Sequence, residues 1–234
     1  MEEGLLFGTT FLTGLLSFLF IKKEKSAWIK LLLSFSGAFL LSTCVMHIIP
    51  SIYVESEQFT EIGIYILLGF LLQIVLEFFS RGSEHGHAHL HGNKIPTGLI
   101  ISLCIHAFWE GTPFGFHEHG DSHDHGHLLA GIIMHKLPVE VVLASMLKVS
   151  YAGKKYIPIL ILFIFSLMPV LGSFAGENII GESAHVPSLA IVLGMMLHIS
   201  TTILFEISEN HRFNAIKLLS VIVGFTLSIL TYSI

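Results

Sequence analysis

The chain is built from long apolar runs separated by short polar ones, and the runs are continuous, with no alternation of apolar and polar residues at every second position. A membrane-spanning helix needs roughly 20 mainly apolar residues. Eight stretches meet that length: 4–21, 27–49, 61–79, 95–116, 128–147, 156–176, 187–208 and 214–233. Backbone groups in hydrocarbon must be satisfied within their own segment or in a closed barrel, and runs without a two-residue alternation select helices. The pattern predicts an all-α integral membrane protein, a bundle of eight transmembrane helices, with residues 1–234 forming a single transmembrane domain.

Composition agrees. Hydrophobic residues make up 53% and charged residues 12%, and the mean hydropathy is +0.77; a soluble domain carries about twice that charge. The placement of charge predicts topology. Lys22, Lys23, Lys25 and Lys30 lie between the first and second runs, Arg81 and Lys94 between the third and fourth, Lys148, Lys154 and Lys155 between the fifth and sixth, Arg212 and Lys217 between the seventh and eighth. The intervening connections carry Glu55, Glu57, Glu61, then Glu118, Asp121, Asp124, then Glu177 and Glu182, with no Lys or Arg. By the positive-inside rule, both termini are expected on the outer side. The first run follows Met1-Glu2-Glu3 and has its positive charges after it, the reverse of a secretory signal peptide, so it is expected to stay as a helix. Lys30 and Lys217 stand in the first turn of their runs, and Lys136 alone falls deep inside a predicted span. Cys44 and Cys104 sit in different spans, which argues against a disulfide framework and for small buried apolar roles.

Two polar segments are dominated by histidine. One holds His85, His87, His89 and His91 on the predicted inner side; the other holds His117, His119, His123, His125 and His127 on the outer side. Together they contain nine of the 15 histidines. Imidazoles interleaved with glycine can wrap zinc, nickel or copper but impose no single geometry, which points to capture or buffering; a solvated loop with incidental metal affinity is the alternative. Both segments flank the run 95–116, from opposite sides.

Ionisable groups inside a span are costly and usually line a pathway or pair with one another. His106 and Glu110 are four apart, one turn above the other on one helix face. An imidazole nitrogen and a carboxylate oxygen stacked in this way can bind one borderline-soft cation. The next run offers His135, with Pro138 three residues on; the proline removes a hydrogen bond from the preceding turn, so a kink is expected there, with a freed carbonyl facing a cavity. His106, Glu110 and His135 make a set of two histidines and one carboxylate that leaves a coordination position open, as passage through a site requires.

With these residues the chain resembles the ZIP (ZRT/IRT-like) family of metal transporters over essentially its whole length. The resemblance is carried by the eight spans, the inner histidine run, His-x-x-x-Glu-Gly at His106 to Gly111 and His-x-x-Pro at His135 to Pro138. Weaker matches are His47-Ile-Ile-Pro50 closing the second helix, Met168-Pro169 with Gly172, and Phe205-Glu206 before Glu209-Asn210-His211. The resemblance implies a transport domain that moves Zn²⁺, or Fe²⁺, Mn²⁺ or Cd²⁺, toward the cytoplasm, with His106, Glu110 and His135 as the metal ligands. Many members hold a second metal beside the first. Here the chain departs from the pattern: Ala107 replaces a frequent Asn, Lys136 an acid or amide, Met168 stands where some members have Glu, and Val139 follows Pro138, so the oxygen ligands of a second site are missing. An ammonium has three donors and one positive charge, so Lys136 can stand in the place of a second cation and pair with Glu110. Expected to support or line the pathway are Lys136, Glu140, His47, Thr43, Met168 and Glu206, and a homodimer is left open.

Other classes remain as alternatives: an intramembrane zinc-dependent hydrolase, a metal exporter or a metal-sensing receptor. The chain has no His-Glu-x-x-His and no nucleotide-binding motif. The expected partners are the divalent metal as cargo and the lipid bilayer of a plasma or bacterial inner membrane; no resident cofactor, nucleic acid or enzymatic activity is expected.

Overall fold

The computed structural model describes residues 2–20, 26–55, 58–80, 97–116, 122–206 and 215–232. They are all-helical, with no strand among them. In chain order the helices are α1 (Glu2–Phe20), α2 (Ser26–Thr43), α3 (Ile49–Glu55), α4 (Phe59–Ser80), α5 (Thr97–Gly111), α6 (Ser122–Ser150), α7 (Tyr156–Ala175), α8 (His185–Glu206) and α9 (Ala215–Tyr232). Because α2 runs into α3, they form eight helical rods. Six of these are long and apolar enough to cross a membrane. The other two are shorter: α5 has 15 residues and continues as a 3-10 turn over Thr112–Gly115, so the predicted span 95–116 is α-helical only in part, and α9 supplies the apolar stretch Ala215–Thr231.

Two prolines were expected to shape helices, and neither ends one. Pro50 cannot give an N–H to the carbonyl of Met46, one turn back. The chain widens into a π turn over Cys44–Ile48 and goes on as α3 to Glu55, so His47-Ile-Ile-Pro50 does not close the second helix. Pro138 likewise lies inside α6, whose 29 residues stay α-helical from Ser122 to Ser150. That helix begins six residues before its predicted start, so the backbone of His123, His125 and His127 belongs to a helix and not to a connecting loop.

α1, α5, α6 and α7 pack on one another, as do α2, α4, α8 and α9; the two sets meet where α2 lies on α6 and α4 on α5. Glycines permit the closest approaches. Gly111 faces the Pro169 carbonyl, Gly172 that of Phe108, Gly115 that of Ser173 and Gly176 that of Thr112. Two Gly-x-x-x-Gly spacings are thus laid face to face, the small-residue packing that brings helix backbones together in lipid, where burying apolar surface supplies no drive. Gly69 and Gly194 do the same between α4 and α8, against the carbonyls of Ile191 and Ile66.

Two apolar clusters fill the interior. Cys44 belongs to one, centred on Leu40, Ile132, Leu193 and Met196; Cys104 packs against the other, with Leu103, Ala107, Leu147 and Phe165. Both cysteines are free thiols. The outside is equally greasy: Leu12, Leu16 and Leu19 of α1, Leu67, Leu71 and Phe78 of α4, and Leu219, Ile222 and Leu230 of α9 are exposed. Apolar patches on that scale have lipid as their solvent. Lys148, in the last turns of α6, donates to the Phe18 carbonyl at 2.7 Å and to that of Leu19 at 3.5 Å. It thereby satisfies carbonyls left free at the end of α1.

Candidate metal centre

α5 and α6 carry the ionisable cluster at the centre of the interior. His106 and Glu110, one turn apart on α5, are 3% and 0% exposed, and Nε2 of His106 lies 3.0 Å from Oε1 of Glu110. His135 of α6 is also buried; its ring stands edge-on to that of His106, centroids 5.9 Å apart. One ligand atom from each of His106, Glu110 and His135 lies within 4.8 Å of the others, so this group could hold a metal ion. A tetrahedral ion with bonds near 2.1 Å needs ligand atoms about 3.4 Å apart, so the group closes on a cation through side-chain shifts on the order of 1 Å.

Lys136 faces the same carboxylate. Its Nζ lies 2.6 Å from Oε2 of Glu110 and 5.0 Å from the centre of the Phe165 ring, a cation–π arrangement. The two oxygens of Glu110 are therefore divided between an imidazole and an ammonium. Formally the ammonium cancels the carboxylate, so the interior pair is neutral before any ion enters.

Glu140, fully buried, does not join this group. Its Oε1 accepts a hydrogen bond from the Ser166 hydroxyl at 3.2 Å, and its Oε2 has no hydrogen-bond partner among the described residues. The carboxylate lies against Gly14 of α1. Met168 packs on the apolar cluster around Leu103 and Phe165. Thr43 donates to the Phe39 carbonyl at 3.0 Å, lies 3.3 Å from the Ser228 hydroxyl and abuts Gly131. His47, in the π turn, stacks on His127 with ring centroids 4.1 Å apart. His127, Gly131 and His135 recur every four residues on one face of α6, so Thr43 and His47 follow that face away from the candidate centre.

Glu206 ends α8, but its side chain lies outside the described residues, as do the side chains of His123 and His125. His85, His87, His89, His91, His117 and His119 lie outside them altogether.

Two groups escaped sequence reasoning. Gln73 of α4, fully buried, places its Oε1 3.1 Å from Nδ1 of His106. Glu77, one turn on, pairs with Nε2 of His198 on α8 at 2.6 Å. The available signal was a glutamine and a glutamate four apart in an otherwise apolar run, and polar residues at that depth need partners.

No family model matches the chain. It is similar to Protein zntD of Dictyostelium discoideum, 27% identical over 166 residues that span 62% of this chain and 24% of that protein. The chain is a multi-pass integral membrane protein. It spans about a quarter of the length of the curated relative it matches.

Proposed function

We infer that this protein carries a divalent transition metal ion, zinc in the first place, across the membrane toward the cytoplasm through the group formed by His106, Glu110 and His135. One observation carries this reading: two imidazoles and a carboxylate from two helices converge within 4.8 Å in the interior of a membrane protein. A mixed nitrogen and oxygen set of three suits zinc and leaves a fourth position open. The likeness to Protein zntD, together with the His-x-x-x-Glu-Gly and His-x-x-Pro motifs, supports placing the chain with the ZIP family, with eight crossings and both termini outside.

Lys136 takes the place of a second cation in this reading. One metal is then held on the Oε1 side of Glu110, with the ammonium on the Oε2 side. Neutral overall, the ligand set holds the ion less tightly than two carboxylates would, which suits a site that must release what it binds. Replacing Lys136 by aspartate removes the internal cation and adds an oxygen ligand. Two bound ions per chain are expected in Lys136→Asp; one ion together with normal transport would refute the stand-in role.

The function itself is tested with purified protein in liposomes loaded with a zinc-sensitive dye. Zinc entry is expected with the wild-type protein and should disappear in His106→Ala and Glu110→Ala. Intact binding without flux would favour the hydrolase or receptor classes.

A further inference from the structure

We propose that Gln73 is a positioning residue for the metal centre: its side-chain carbonyl holds the remaining ring proton of His106 on Nδ1 and so turns the Nε2 lone pair toward the cargo. This rests on the reading of His106, Glu110 and His135 as the ligand group.

The geometry is a 3.1 Å contact between Oε1 of Gln73 and Nδ1 of His106, with both side chains buried. A neutral imidazole bound to a cation through Nε2 keeps its proton on Nδ1, and an amide oxygen there can only accept. Metal-bound histidines commonly donate their second nitrogen to such a partner, which fixes ring orientation and ligand strength. Gln73 comes from the other set of helices, so the bond crosses the seam between α4 and α5. The seam is tight beside it: the Ser102 hydroxyl of α5 donates to the Leu76 carbonyl of α4 at 2.9 Å, and Gly98 lies against the Phe79 carbonyl. One turn beyond Gln73, the Glu77–His198 pair ties α4 to α8. The stretch of α4 just beyond Gln73 is therefore tied to both α5 and α8.

The choice of an amide has its own consequence. A carboxylate in this place would make His106 a stronger donor and add a negative charge beside the site. Gln73 orients the ring without adding charge, as Lys136 removes the charge of Glu110. Both residues keep the ligand set neutral and favour release over retention.

The test uses Co²⁺ as a spectroscopic probe and Zn²⁺ in competition, with the full-length protein in detergent. Gln73→Met keeps length and removes the acceptor; affinity is expected to fall 10- to 100-fold, with a shift in the Co²⁺ visible bands. Gln73→Glu restores an acceptor and adds charge; it should bind more tightly than wild type and show slower zinc flux. Unchanged affinity and bands in Gln73→Met would overturn the proposal. So would a Gln73→Glu protein that binds as weakly as Gln73→Met. Should Gln73→Met fail to fold, Gln73→Glu decides alone: tighter binding supports the role, and weaker or unchanged binding overturns it. If the wild-type protein itself bound no Co²⁺ or Zn²⁺, the failure would lie with the ligand group, and the role of Gln73 would fall with it.

Discussion

Replacing Lys136 by methionine is expected to destabilise the metal-free protein by about 3–5 kcal/mol, the usual cost of removing one partner from a buried ion pair. Lys136 is 2% exposed and Glu110 fully buried, so the carboxylate left behind has no water to take the place of the ammonium. Zinc should reverse the loss. A unit positive charge about 5 Å from a divalent ion costs about 1.7 kcal/mol even at the dielectric constant of water. Zinc affinity in Lys136→Met is therefore expected to rise at least tenfold. The combined signature is a lower melting temperature without metal, a larger upward shift on adding zinc and slower release into liposomes. Equal zinc affinity in the two proteins would show that the ammonium is electrically irrelevant to the site.

Replacing Gly172 by leucine should be comparably damaging for a different reason. A Cβ at Gly172 would run into the Phe108 carbonyl, and one at Gly111 into the Pro169 carbonyl. These are backbone atoms and cannot rotate away. Overpacking a well-packed core costs about 1–3 kcal/mol and occasionally more, and here a whole helix must move. Since α5 carries His106 and Glu110, and α7 supplies Phe165 beneath Lys136, separating them also disturbs the ligand group. Gly172→Leu is expected to lose most folded protein on size-exclusion chromatography and to weaken zinc binding in whatever survives. Gly8→Leu is the control, because nothing lies within 4 Å of a Cβ there; it should behave as wild type in both measurements. A well-folded Gly172→Leu with normal zinc affinity would refute the tight α5–α7 contact.

The helical rods were legible because bilayer thickness imposes a length on every apolar run, and the chain has little else. Their ends were less so. Pro50 reads as a stop by the rules of water, where a freed carbonyl can be solvated outside the helix, and Pro138 as a kink. In lipid no such outlet exists, and continuing through a π turn or an unbroken helix costs less than stopping. The grouping of His106 with Glu110 followed from a spacing of four, and His135 from the proline motif beside it. Gln73, by contrast, sits on a helix whose approach to α5 depends on tertiary packing, and one polar residue in an apolar run does not name its partner. Glu140 shows the same limit: five residues from His135, it turns toward α1 and Ser166, and no spacing rule announces that.

The contact between Lys136 and Glu110 also has an electrical consequence. Because the Lys136 ammonium offsets the Glu110 carboxylate, that pair supplies no net counter-charge to an ion beside it, and a metal that crosses without a counter-ion carries its full double charge. A membrane potential is worth about 2.3 kcal/mol per elementary charge per 100 mV, hence about 4.6 kcal/mol for each divalent ion moved. On the transport proposed above, entry into an inside-negative cell would be driven by voltage as well as by concentration, and uncoupled passage is expected to register as an inward current of two charges per ion.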